Sequence, residues 1–205
     1  MGDWIVSFFG KIIGNKYLLC AVLSVFPITE IKGGILCAAV ADVRLLLAFA
    51  CCFLSSVALA AALSALCPAL LRAAEKSPRV KKVTSFLTDR LEEKASEIAS
   101  KAKSGEKGRA QKAFGLFAFV ALPLPLTGVW AGALLAAILR LDYKSSLLSL
   151  SAGNFVAGGI VLFVALIAGD KAELVLNVFL FAALAALLFA AIKWGIGKRK
   201  KKSAV

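Results

Sequence analysis

Histidine is absent from all 205 residues. That removes the usual proton shuttle, the usual general base and the commonest metal ligand. Acidic residues are scarce, 12 Asp and Glu against 25 Lys and Arg, for a formal charge of +13. No clustered Asp/Glu pair and no Ser–Lys arrangement offers an enzyme site. Five cysteines, Cys20, Cys37, Cys51, Cys52 and Cys67, lie in apolar stretches and make no C-x-x-C pair. They read as small buried hydrophobes, not as disulfides or metal ligands. No interleaved aromatic and basic residues suggest a nucleic-acid partner. The expectation is therefore a chain with no catalytic residue, no metal and no cofactor, and not an enzyme.

What is abundant is apolar surface. Hydrophobic residues make up 60% of the chain, with a mean hydropathy of +0.87, against about 45–50% apolar in soluble domains. A bilayer accounts for that excess, and the length suits one membrane domain over 1–205. Residues 1–16 carry Asp3, Lys11 and Lys16 and read as an amphipathic helix on the membrane surface rather than a cleaved leader. Residues 45–71 and 145–169 are uncharged runs long enough to span, and 174–196 reads as a further C-terminal span. Residues 72–112 hold 12 Lys/Arg and 6 Asp/Glu, with Val80, Val83, Leu87, Leu91 and Ile98 at helical spacing. That pattern predicts a basic amphipathic helix ending near Ser104-Gly105. The tail 197–205 contains Lys198–Lys202, purely basic.

Two apolar stretches are broken by proline, and they resemble each other. PITEIKGGILCAAV from Pro27 and PLTGVWAGALLAAI from Pro125 share six of 14 positions without a gap. Proline stops a helix, and the residue before it avoids the helical region. Thr29 and Thr127, each two residues after its proline, are good N-caps for a new helix. Each stretch therefore reads as a half-helix, a break and a second half-helix. In 113–139 the halves are each roughly 15–18 Å long at 1.5 Å per residue, enough to reach the midplane and no further. The expected fold is an all-α membrane protein built as an inverted repeat. Repeat A is 17–71 and repeat B is 113–169, each a re-entrant hairpin followed by a transmembrane helix. The breaks fall at Pro27 in the first hairpin and at Pro123 and Pro125 in the second. With the second hairpin re-entrant, about 20 of the 25 Lys/Arg fall on the cytoplasmic side, as the positive-inside rule asks. The opposed halves are the architecture of many secondary transporters.

The segments FPITEIKGGI at 26–35 and FVALPLPLTGVWAGALLAAIL at 119–139 resemble the small multidrug export protein family, which is distantly similar to the DedA/VTT membrane proteins. Their order, spacing and intervening basic helix agree over most of residues 17–160. One departure is Leu126, where the family's Pro-x-Pro-Gly-Thr-Gly type of sequence carries glycine. The resemblance implies export or lipid transport in a prokaryotic inner membrane, with polyprenyl-phosphate carriers as the substrates its DedA-like relatives suggest.

Glu30 and Lys32 are the only charges within the two matched 14-residue segments. A charge at that depth is costly unless paired or wet, so both are candidate functional groups. Two positions apart, they are not expected to pair along one helix face. Glu30 either satisfies the start of its own helix or acts as a proton-coupling carboxylate or cation ligand facing a cavity between the tips. Lys32 is a candidate phosphate ligand. The helix starts at Thr29 and at Thr127-Gly128 aim N–H groups at the centre. Trp130 lines the substrate path or fills the core. Asn154 lies mid-span, where hydrogen bonding between helices is the plainest role. The leading functional expectation is a flippase-like transporter working by alternating access on a lipid-linked phosphate, with proton coupling. Alternatives are a proton-coupled exporter of cationic drugs, with Trp130 as a cation–π surface, a membrane scaffold and a lipid-phosphate enzyme. Expected partners are membrane lipids with anionic head groups, and a second copy of the chain.

Overall fold

The computed structural model describes residues 13–76, 91–102, 105–125 and 127–185. The proposed surface helix 1–16 mostly, the tail 197–205, the end of the C-terminal span and Leu126 lie outside these residues. Among the described residues all regular structure is helical. The helices are α1 (Lys16–Leu23), α2 (Glu30–Val40), α3 (Leu45–Lys76), α4 (residues 91–101), α5 (Glu106–Ala121), α6 (Val129–Ile138), α7 (Tyr143–Ala168) and α8 (Ala172–Ala185).

Among the described residues, two helices are long and apolar enough to cross a bilayer, over Leu45–Ala73 and Tyr143–Ala168. The second, with 26 residues, is about 39 Å long at 1.5 Å per residue, more than the ~30 Å hydrocarbon layer. Only 22% of the most apolar window of α3, and 39% of that of α7, is buried within the protein. A soluble core helix hides its apolar side chains, whereas Leu46, Leu54, Leu148 and Ile167 are exposed here. Apolar surface on this scale needs lipid around it. The chain is an all-α integral membrane protein.

Four shorter helices pair into two hairpins, α1 with α2 and α5 with α6. In the first, Lys16 Nζ donates to the Ala41 carbonyl at 2.8 Å, and the Arg44 N–H donates to Tyr17 Oη at 3.3 Å. The start of α1 thus lies beside the end of α2. In the second, Gly105, Gly108, Arg109 and Lys112 share a cavity with Leu139, Arg140 and Leu141, so the start of α5 lies beside the end of α6. Asn15 caps α1, accepting from the Tyr17 and Leu18 N–H groups. Leu122 is extended ahead of Pro123, which ends α5 as a residue before proline should.

One boundary differs from expectation. The first arm of the second hairpin starts at Glu106 and has 16 residues, reaching back into the basic segment. Gly105, at φ 79°, is the turn that separates it from α4. On α4, Ile98 packs at the Cα of Gly115, while Glu97 holds Lys94 and Lys101 on the solvated face.

The turns leaving the hairpins match bond for bond at an offset of 98 residues, the spacing of Pro27 and Pro125. Val43 donates to the Ala38 carbonyl and Asp42 to Ala39, at 3.3 and 3.4 Å. Leu141 donates to Ala136 and Arg140 to Ala137, both at 3.1 Å. Asp42 (φ 50°) and Arg140 (φ 55°) take the left-handed position of this helix-ending turn. The long helices then start at Leu45 and Tyr143, again 98 apart. Each long helix is shared between two cores. Ala48 and Cys52 of α3 and Val161 and Ala165 of α7 pack with the first hairpin. Ala60 and Leu63 of α3 and Leu150 of α7 pack with the second.

Candidate functional site

The two proline breaks meet and exchange contacts. Lys32 Nζ, fully buried, donates to the Leu124 carbonyl in the break of the second hairpin. Trp130, at the equivalent position of the other repeat, sends its indole N–H back to the Val25 carbonyl at 2.8 Å. Each break offers a backbone carbonyl, and each receives a donor from the facing segment.

Glu30 sits between them, 3% exposed. Its Oε2 lies 3.2 Å from Lys32 Nζ, so the two charges do pair. The helical-spacing argument fails because Glu30 opens α2 with a φ of 50°, off the helical path. A non-glycine residue held there is strained, and such strain collects at functional sites. The carboxylate lies over Gly128, the repeat equivalent of Glu30. A Cβ on Gly128 would stand 1.9 Å from Oε2. The Trp130 backbone N–H, in the first turn of α6, faces the same carboxylate. Glu30 therefore fills the N-terminal turn of a helix in the other repeat, where a negative group is favoured. The missing side chain of Gly128 admits the carboxylate, and Lys32 neutralises it.

The threonines do a different job from the one their positions suggested. Thr29 makes no side-chain cap to α2, and Gly128, not Thr127, is the N-cap of α6. Thr29 Oγ1 donates to the Leu23 carbonyl. Thr127 Oγ1 donates to the Leu122 and Leu124 carbonyls at 2.8 and 2.9 Å. Both hydroxyls close off the preceding arm, whose last carbonyls are otherwise unpaired once proline ends the helix.

Asn154 is 1% exposed, but among the described residues it has no partner at either end of its amide. The expected hydrogen bond between helices is not made. Ser56, its repeat equivalent, is also buried and unpaired, as is Glu30 Oε1. Pro27, Pro123 and Pro125 stay in the breaks, outside any helix. The repeat register in the sequence already sets Asn154 opposite Ser55 and Ser56 but gives neither serine a role, and the structure finds Ser56 buried and unpaired.

A family model described as "Putative small multi-drug export protein" matches residues 30–160. The match opens at Glu30, just past the first break, and takes in the second break, Ser56 and Asn154. No curated protein matches the chain. No solved structure matches it either.

Proposed function

The chain belongs to the small multi-drug export family, and from that premise we propose that it is an exporter working by alternating access where the two breaks meet. The hairpins are re-entrant in this reading. α1, α2 and α6 have 8, 11 and 10 residues, so each is roughly 12–17 Å long and cannot span alone. The matching turns and the reciprocal Lys32 and Trp130 bonds support an inverted repeat about an axis near Glu30 and Gly128. Residues 72–112 and the basic tail face the cytoplasm.

The favoured substrate is an anionic amphiphile of the lipid-linked phosphate class, entering sideways from the bilayer. One observation carries this reading: the Glu30 carboxylate occupies a ready anion site, with the first turn of α6, a glycine that permits close approach, and the Lys32 ammonium. Glu30 acts as a tethered stand-in for the substrate anion. When it takes up a proton it leaves Lys32 and the helix start to the incoming phosphate, which couples transport to protons.

Binding of dodecyl phosphate to the purified protein tests this. Glu30→Gln should tighten binding and remove its pH dependence, while Lys32→Met should abolish it. Binding of quaternary cations that requires the Glu30 carboxylate and Trp130, with no affinity for the phosphate, would replace this reading with export of cations.

A further inference from the structure

Ser56 on α3 and Asn154 on α7 mark the points at which the two long helices pass from one hairpin to the other. One turn before Ser56, Cys52 Sγ would stand 2.9 Å from a Cβ on Gly34 of α2. One turn after it, Ala60 joins the core around Val129 and Ala133 of α6. One turn before Asn154, Leu150 Cδ2 would stand 2.6 Å from a Cβ on Gly132 of α6. One turn after it, Gly158 lies against Ile31, the neighbour of Glu30. The Cys52–Gly34 and Leu150–Gly132 contacts are equivalent at the 98-residue offset. The long helices themselves cross here, with Phe53 and Phe155 ring centroids 5.4 Å apart.

Both crossing points thus face the region of the ion pair, and both carry polar atoms with nothing to bind. Ser56 Oγ, Asn154 Oδ1, Asn154 Nδ2 and Glu30 Oε1 are all buried without a hydrogen-bond partner. Inside a bilayer protein such groups are costly, and a purely structural Asn154 would have found a partner on the facing helix. The set offers donors and acceptors together: the asparagine amide, a hydroxyl and a carboxylate oxygen. A phosphate would leave its acceptors unpaired, and an ammonium would leave the Asn154 N–H groups unpaired. Sugar hydroxyls, which donate and accept, match all of them.

We propose that Ser56 and Asn154 form a hydrogen-bonding subsite for a hydroxyl-rich head group, so that the substrate is a lipid-linked sugar phosphate. This rests on the anionic-amphiphile reading above. The phosphate takes the place of the Glu30 carboxylate beside Lys32. The sugar lies between α3 and α7, where it reaches Ser56 and Asn154.

The test measures binding to the full-length protein in lipid nanodiscs. The ligands are dodecyl phosphate and dodecyl phosphoglucose, the diester carrying glucose on the same phosphate. The wild-type chain should prefer the sugar diester by about tenfold or more, the gain from one or two hydrogen bonds. Asn154→Leu and Ser56→Ala should each cut that preference to about threefold or less, each removing part of the subsite. Ser56→Ala deletes a single oxygen from an unpaired side chain, so it keeps the test open if Asn154→Leu fails to fold. A wild type that binds dodecyl phosphate with no preference for the sugar diester overturns this inference alone. So does a preference that survives both substitutions while only the melting temperature moves. Failure of the wild type to bind either ligand overturns the anionic reading and this one with it.

Discussion

The hairpin α1–α2 and the hairpin α5–α6 leave through the same turn, at Asp42 and at Arg140, and carry different side chains at their tips. Where the first has Glu30 and Lys32, the second has Gly128 and Trp130. The first supplies charge, and the second supplies the space that the charge fills. The same contrast holds where each hairpin meets its long helix. Ser24 Oγ lies 2.9 Å from Ser55 Oγ and donates to the Cys52 carbonyl at 3.2 Å. Gly153, the equivalent of Ser55, instead lets α7 close on α5, where an added Cβ would stand 2.8 Å from the Phe117 carbonyl. One hairpin is held by hydrogen bonds and the other by close approach. Two matching hairpins can therefore carry complementary chemistry at facing tips, and the pair makes one buried cluster that neither hairpin contains.

The sharpest way to break this complementarity is to strand one charge. Lys32→Met leaves Glu30 buried without its partner and should cost about 3–5 kcal/mol, read as denaturant unfolding in detergent. The double variant Glu30→Gln/Lys32→Met should recover most of that loss, because no buried charge remains. A double variant as unstable as the single would mean that the two charges act separately.

Next comes a comparison of equivalent glycines. In Gly34→Ala the new Cβ meets the Cys20 carbonyl oxygen at 2.8 Å, part of a helix backbone that cannot step aside. In Gly132→Ala it meets only methyl tips of Leu150 and Val120, at 2.6 and 2.7 Å. The first should cost roughly 1–3 kcal/mol, the usual range for overpacking, and the second clearly less. Equal losses would show that the methyl groups are as fixed as the backbone.

A smaller effect falls on the return bond between the breaks. Trp130→Phe keeps the ring but orphans the Val25 carbonyl, a loss of about 1 kcal/mol, measurable as a lowered melting temperature. The smallest is at the start of α7, where Asp142 accepts from the Ser145 N–H at 3.1 Å. That bond holds its carboxyl below its ordinary value of 3.8. The carboxylate is thus favoured in the folded chain. Its contribution is complete above the ordinary value and disappears as pH falls through the lower folded one. Asp142→Asn keeps the cap and should flatten the acid end of the melting-temperature profile. Asp142→Ala should lower the whole curve slightly.

The sequence by itself determined the membrane class, because only lipid can cover a chain that is 60% apolar. It marked both breaks, at Pro27, Pro123 and Pro125, although Pro68 is carried inside α3. It gave the repeat offset, and it singled out Glu30 and Lys32 as charges that apolar surroundings make costly. It misplaced the threonine bonds and the start of α5. A hydroxyl near a break has carbonyls on one side and N–H groups on the other, and spacing does not choose between them. Only the tertiary structure decided that Glu30 leaves the helical path and pairs with Lys32, and that its carboxylate enters the space above Gly128. The first depends on a backbone turn that the spacing of a regular helix does not foresee, and the second joins two helices 98 positions apart, between which a linear pattern carries no distance.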